Sequence, residues 1–273
     1  MPTWFITGCS TGFGRSLARA VLAKGWNAAI TARDPASLKD LVTDTALPLQ
    51  LDVTNKAQAA AAVKAAEDKF GSIDVLVNNA GYGYRGAVEE ASDADIRQLF
   101  ETNVFGLIDI IQRVLPGMRQ RRAGHIVNIS SVGGRMANPG SAFYSATKFA
   151  VGGLSDALRK EVNPLGIRVT VVEPGGFRTD FAGRSLHQSA HAIDDYANTA
   201  GKRRKENLTN DGRQPGDPDK AAQAIIQAVE SPNPPFRLLL GRDAVKRVRE
   251  ELDRQRQEID TWEAVSSNTD YPA

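Results

Sequence analysis

Tyr144 and Lys148 in "YSATK" stand four residues apart, so on a helix they share one face. An ammonium near a phenol favours the phenolate. It draws a group with an ordinary pKa of about 10 toward neutrality, where it can exchange a proton with a carbonyl or alcohol oxygen. Charge developing on such an oxygen needs hydrogen-bond donors placed at it. Ser131, closing "IVNISS" thirteen residues before Tyr144, can supply one donor and Tyr144 the second. A tyrosine and a lysine at this spacing also arise by chance, so companions elsewhere in the chain must carry the specificity.

The first companion is a turn. Thr7, Gly8, Cys9, Ser10, Thr11, Gly12, Phe13 and Gly14 place glycines in a G-x-x-x-G-x-G pattern between a β-rich run, "TWFIT", and a helical run, "RSLARAVLAKG". Glycines there permit positive φ and bring backbone N–H groups up to a pyrophosphate at a helix N-terminus, where the helix dipole favours negative charge. Its position between two strands marks the turn as a dinucleotide site. Cys9 is read as a small turn residue without a redox role.

The next strand ends in "AAITARDP", and this end discriminates between cofactors. An acid would hold a ribose 2′-OH, whereas arginine would pair with a 2′-phosphate. Counting from Gly25, the strand stops at Ala32, so Arg33 faces the ribose and Asp34 begins the next turn. The expectation is NADP(H), with NAD(H) as the lesser possibility. "LDV" and "NNAG" end two further strands at the ligand-binding edge. Asp52 is placed to accept from an adenine amino group beside Val53, and Asn79, Ala80 and Gly81 to permit close approach by the adenosine, although turn chemistry alone would also select such residues.

These groups need a scaffold, and the chain supplies a repeating one. Short apolar runs "TWFIT", "AAITA", "LPLQLDV", "IDVLVNNAG", "GHIVNISS", "IRVTVVEPG" and "FRLLLG" alternate with helix-compatible segments. Strands apolar at successive positions are buried on both faces, which predicts an α/β fold: a single-domain, doubly wound (Rossmann) parallel sheet of about seven strands with helices on both sides. The catalytic domain is expected over residues 1–241. Within it, residues 181–216 are polar and read as a mobile loop or lid over the substrate. Residues 242–273 read as a charged helix and tail, with Val245, Val248, Leu252 and Trp262 as its few apolar anchors.

Composition narrows the classes further. The 273 residues are 41% hydrophobic and 24% charged, an ordinary globular balance, and a net charge of +2 gives no electrostatic reason to expect nucleic acid or membrane as a partner. One cysteine and three scattered histidines lack ligand spacing for a metal, so none is expected. His125, His187 and His191 are read as structural or solvated, and the basic run at 202–206 as solvent-exposed. Without a long apolar run or a signal-peptide pattern at "PTWFITG", the expectation is a cytoplasmic protein.

In order and approximate spacing, "TGCSTGFG", "LDV", "NNAG", Asn103 in "ETNVFG", "SS", "YSATK" and "PGGFRT" resemble the short-chain dehydrogenase/reductase family over roughly residues 3–241. "WFITGCSTGFG", "TARDP" and "VVEPGGFRTDF" are similar to its branch of hydroxysteroid- and retinol-dehydrogenase-like enzymes and bacterial oxidoreductases. The resemblance implies hydride transfer between nicotinamide and a carbonyl or secondary alcohol, with Tyr144 as general acid/base. Lys148 would lower its pKa and hold the nicotinamide ribose, Ser131 would bond the substrate oxygen, and Asn103 would anchor a water leading protons to Lys148. Ser130 is the alternative serine, and the thirteen-residue spacing favours Ser131. Pro174, Gly175 and Thr179 would cradle the carboxamide. Thr11 stands where many NADP-preferring members carry a basic residue, which leaves that preference to Arg33. A homodimer or homotetramer is implied, through helices around 93–120 and 142–163. The small-molecule substrate is expected to be partly apolar, with Phe143, Phe177 and Phe181 as candidate pocket residues. A noncatalytic nucleotide-sensing or scaffold protein on the same fold is the competing class, and an epimerase or dehydratase with tightly held cofactor ranks below it.

Overall fold

A computed structural model describes residues 1–181, 183–210 and 212–271, with the side chains of 207–210 outside the description. The last two residues of the expected tail also lie outside the described residues. The strands are β1 (Thr3–Ile6), β2 (Asn27–Ala32), β3 (Ala46–Gln50), β4 (Val75–Asn78), β5 (Gly83–Arg85), β6 (Gly124–Ile129), β7 (Ile167–Pro174), β8 (Leu186–Gln188) and β9 (Arg237–Leu240). The α-helices are α1 (Gly12–Ala23), α2 (Lys56–Phe70), α3 (Asp93–Phe100), α4 (Gly106–Arg121), α5 (Ala142–Val162), α6 (Lys202–Asn210), α7 (Pro218–Glu230) and α8 (Arg242–Ser266).

Seven strands form one parallel sheet in the order β3-β2-β1-β4-β6-β7-β9, the doubly wound Rossmann architecture expected from the apolar runs. Because side chains alternate between faces of a strand, neighbours in the run "WFI" enter different cores. Trp4 and Ile6 join Leu17 and Val21 of α1 and Ile225 of α7 on one side. Phe5 joins Ala62 of α2, Ile110 of α4 and Val151 of α5 on the other. Burying a side chain of this size stabilises by about 1.5–3 kcal/mol, so both helical layers are held by the same strands.

After β3 the chain returns across β1 to begin β4, reversing the direction in which strands are added. The connections leaving β1 and β4 therefore run to opposite faces of the sheet, to α1 and to α4, and a crevice opens at the C-terminal ends of the strands. Two details were not anticipated. Helices α3 and α4 are continuous through a π-helical turn at Glu101–Phe105, and a π-turn often marks a functional position. Strands β5 and β8 pair in parallel as a separate small sheet, joining the chain after "NNAG" to the polar 181–216 segment.

The described part of that segment is also more structured than a simple loop. It contains β8, a π-helical turn at Ala197–Gly201 and α6. Helix α8 packs through Ala244 and Val248, whereas Leu252, Ile259, Trp262 and Val265 are exposed.

Candidate active site

The loop after β1 is locked to the loop after β4. Thr7 Oγ1 accepts from the backbone N–H groups of Asn79 and Ala80, each at 2.9 Å, while Asn79 Nδ2 donates to the carbonyls of Thr7 at 2.9 Å and Gly8 at 3.0 Å. Gly8 and Gly12 have φ of +72° and +57°, in the region that favours glycine. A β-carbon at Gly14 would overlap the Gly8 carbonyl oxygen and the Asn79 amide, so Gly14 supports the turn from beneath rather than lining the cleft. Cys9 is fully buried, its thiol donates to the Ile6 carbonyl at 3.2 Å, and burial pushes its pKa up to about 12, which makes it unreactive.

Above this turn lies a cleft of about 390 Å³. Its floor includes Gly8, Ser10, Thr11, Gly12 and Phe13. Arg33 is exposed at its rim, while the Asp34 carboxylate accepts from the Ala36 N–H at 2.9 Å and caps the next turn. The two adjacent residues thus face different tasks, Arg33 the cleft and Asp34 the turn. Asp52 and Val53 also line the cleft, but Asp52 Oδ1 already accepts from Thr54 N at 2.9 Å and Oγ1 at 2.7 Å, an Asx turn at the end of β3. Asn79, Ala80 and Gly81 form the wall after β4, and Pro174, Gly175 and Thr179 the wall after β7. Gly176 N donates to Asp243 Oδ2 at 2.8 Å, which fastens the latter wall to the start of α8.

Helix α5 carries Tyr144 and Lys148 to the inner end of the same cleft. Lys148 is 6% exposed and its Nζ donates to the Ile129 carbonyl at 2.8 Å, with burial lowering its pKa to about 8. Burial dominates and holds the Tyr144 phenol above its ordinary value, while a hydrogen bond from the Ser131 hydroxyl and the charge of Arg85 offset only part of that rise. The cation expected to ease the phenol's acidity was Lys148, whose Nζ lies 5.8 Å from the Tyr144 ring centroid; Arg85 stands at the same distance. Ser131 Oγ accepts from Gly133 N at 3.0 Å, and its hydroxyl bonds the Tyr144 phenol where both line the cleft. Ser130 instead donates to the Lys148 carbonyl at 3.1 Å, a structural bond that explains why two serines occur in succession.

Asn103 sits in the π-turn, 1% exposed, and does not line the cleft. Its Oδ1 accepts from Tyr82 N at 3.0 Å, and its Nδ2 donates to the Tyr82 carbonyl at 2.9 Å and Thr147 Oγ1 at 3.2 Å. It therefore couples the chain after "NNAG" to α5. Of the three candidate phenylalanines, Phe177 and Phe181 line the cleft and Phe143 does not. Phe181 lies 5.5 Å from the Tyr144 ring, and Phe177 packs edge-on against Phe13 at 5.0 Å.

Sequence reasoning read His187 as structural or solvated and passed over two further groups, Glu90 and Arg85. His187 lines the cleft with its ring 4.6 Å from Tyr82, whereas His125 is buried at the start of β6 against Thr170 Oγ1 and His191 is exposed. Glu90 is a buried carboxylate that accepts from Ala87 N at 2.7 Å and Ile193 N at 3.0 Å and pairs with Arg204. None of these has a local pattern that announces its distant partner.

The profile of the family described as short chain dehydrogenase matches residues 2–190. A solved short-chain dehydrogenase from Streptomyces avermitilis is 42% identical with a TM-score of 0.93, covering 99% of this chain and 100% of that one. The 3-ketodihydrosphingosine reductase of Bacteroides thetaiotaomicron is 39% identical over 86% of each chain. A short-chain dehydrogenase/reductase from Burkholderia phymatum, solved in complex with NAD, is 25% identical with a TM-score of 0.82 over 93% of this chain and 95% of that one. The parallel sheet and the cleft at its strand ends define a Rossmann-type fold. The chain belongs to the short-chain dehydrogenase family.

The residues present fit a nicotinamide dinucleotide. Gly14 cannot carry a side chain beneath the turn, the β1 and β4 loops leave backbone at the cleft floor, and Lys148 Nζ lies at the inner end.

Proposed function

We propose that the protein is an NADP(H)-dependent oxidoreductase that interconverts a carbonyl and a secondary alcohol, with Tyr144 as general acid/base. The observation that carries this reading is the convergence of Ser131, Tyr144 and Lys148 at the inner end of the glycine-floored cleft. The nicotinamide, when bound, supplies or takes up the hydride. During reduction the Tyr144 hydroxyl gives its proton to the substrate oxygen; during oxidation the phenolate takes it back. Ser131 donates a second hydrogen bond to that oxygen and stabilises its developing charge. Lys148 adds positive charge beside the phenol and reaches toward the nicotinamide ribose, while Asn103 holds the Tyr82 backbone and Thr147 in place.

Gly8, Ser10, Thr11, Gly12 and Phe13 hold the pyrophosphate, Asp52, Val53, Asn79, Ala80 and Gly81 the adenosine side, and Pro174, Gly175 and Thr179 the carboxamide. Arg33, with its guanidinium at the rim and Asp34 occupied by the turn, pairs with a 2′-phosphate and favours NADP(H) over NAD(H). Phe177, Phe181 and Tyr82 give the substrate side apolar character, and the Bacteroides relative is named a 3-ketodihydrosphingosine reductase. Residues 1–241 act as the catalytic unit and 242–273 as an appended helix and tail. Exposed Phe105 and Phe149 on the helical face of the π-turn, α4 and α5 supply apolar surface for a homodimer or homotetramer.

The test mixes the purified protein with NADPH and a panel of ketones, aldehydes and diketones, following nicotinamide absorbance. Turnover is expected, and Tyr144→Phe should lower kcat about 10²- to 10⁴-fold without weakening cofactor binding. Unchanged turnover in that variant would refute the assigned role of Tyr144.

A further inference from the structure

Arg85 ends β5 and is 7% exposed. Its Nη1 donates to the Tyr84 carbonyl at 3.0 Å, and its Nε is buried without a hydrogen-bond partner. Buried guanidinium groups ordinarily meet a carboxylate, because desolvating a charge without compensation is costly. Among the described residues no ion pair includes Arg85. Glu90, whose carboxylate lies beside Gly86, is committed elsewhere: it holds Arg204 and the N–H groups of Ala87 and Ile193.

What Arg85 does face is Tyr144. Its Cζ lies 5.8 Å from the ring centroid, the distance at which Lys148 Nζ also stands. The groups around the phenol are Lys148 from its own helix, Ser131 from the loop after β6, the Phe181 ring from beyond β7, and Arg85 from the small sheet. The charge of Arg203 on α6 also acts on Arg85. No carboxylate is among these groups.

We propose that Arg85 is a second positioning cation for Tyr144: its buried, carboxylate-free guanidinium stabilises the phenolate alongside Lys148, so the phenol's ionisation rests on two elements rather than one. This inference builds on the assignment of Tyr144 as general acid/base.

The division of labour has a physical reason. Burial lowers Lys148 to about 8 and Arg85 only to about 10, so as pH rises through 8 in the cofactor-free protein Lys148 starts to lose its charge while Arg85 keeps it. Arg85 also reaches Tyr144 through β5, whose partner strand β8 belongs to the 181–216 segment. The acidity of the phenol is thereby tied to the placement of the substrate side.

The test is a ¹³C NMR titration of cofactor-free protein labelled at tyrosine Cζ, with the Tyr144 signal assigned by its absence in Tyr144→Phe. In Arg85→Met the Tyr144 midpoint should rise by about one to two pH units, the effect of one charge about 6 Å away at an effective dielectric of about 20. Arg85→Lys should retain most of the original midpoint. Arg85→Gln, closer in shape, repeats the measurement if the methionine variant does not fold. An unchanged midpoint in a folded Met or Gln variant overturns the proposal. So does an equal rise in the Lys and Met variants, which would signal lost packing rather than lost charge. The pH profile of kcat for alcohol oxidation should shift with the NMR midpoint. A midpoint that moves while the kcat profile stays fixed leaves the Arg85–Tyr144 coupling standing and refutes the general-base role instead.

Discussion

The two halves of the cleft are built by different means. The floor that faces the dinucleotide consists of backbone and short side chains at the C-terminal ends of β1, β4 and β7, with Thr7 and Asn79 cross-linking the first two loops through bonds of 2.9–3.0 Å. The substrate side consists of Tyr82, just before β5, and of Phe181, Arg184, Ser185 and His187 from the 181–216 segment, and behind them the two stretches are joined by the Glu90–Arg204 pair and by the bond from Ser189 N to the Arg85 carbonyl at 2.8 Å. Strand ends in a doubly buried sheet have little freedom, so they suit a ligand whose shape does not change. Side chains hung on a short accessory sheet can be exchanged without disturbing the core. The difference predicts that substitutions in one half move cofactor affinity and those in the other move substrate affinity.

Gly14→Ala should give the largest effect of this kind. The added carbon meets backbone at Gly8 and the Asn79 amide, neither of which can swing aside as a flexible side chain would. Overpacking of this sort costs about 1–3 kcal/mol, so the dissociation constant for NADPH should rise about 5- to 150-fold by fluorescence titration. The KM for the carbonyl substrate, measured at saturating cofactor, should move little. A large change in that KM with cofactor affinity intact would erase the proposed division.

Arg33→Asp sharpens the comparison within the cofactor half. A charge-assisted bond to a 2′-phosphate contributes about 1.5–3 kcal/mol, and the introduced acid repels it. The ratio of kcat/KM for NADPH over NADH should therefore fall about tenfold or more. An unchanged ratio would make Arg33 a solvated rim residue and remove the basis for the NADP(H) preference.

How much of each half could be read from residue order follows the same division. The seven strands of the main sheet were legible because apolar runs on both faces leave few other architectures, and the glycine turn was legible because Gly8, Gly12 and Gly14 are demanded by backbone geometry. Tyr144 and Lys148 were legible because one helix presents both. The accessory sheet was not: "GYR" and "LHQ" are three-residue strands with neither alternation nor apolar bias, and they pair across about a hundred residues. Glu90 and Arg204 are 114 positions apart, and nothing local distinguishes them from solvated charges. Arg85 escaped notice for a related reason, since its significance lies in a missing partner. Asn103 was named only through the order of the family's motifs, because the π-turn that turns its amide to Tyr82 and Thr147 leaves no simple mark in the sequence.

Glu90→Gln probes the substrate half and should give the smallest effect of the set. In the native protein burial pushes the Glu90 carboxyl up, but the N–H groups of Ile193 and Ala87 together with Arg204 outweigh it and hold the pKa below the ordinary carboxylate value. A depressed carboxylate stabilises the fold above its unfolded-state pKa and loses that contribution as pH falls through its folded value. Glutamine keeps an acceptor for Ala87 or Ile193 but removes the charge facing Arg204. The hold on the chain around Ile193 and Arg204 therefore loosens locally, and global unfolding is less affected. The KM for substrate should rise roughly three- to tenfold, a change of about 0.6–1.4 kcal/mol, with the NADPH dissociation constant unchanged. Hydrogen exchange should quicken around residues 186–204 and stay slow at β1 and β4. Faster exchange at β1 and β4 as well would mean that the two halves open as one unit, and the contrast between a fixed cofactor floor and an adjustable substrate wall would fail.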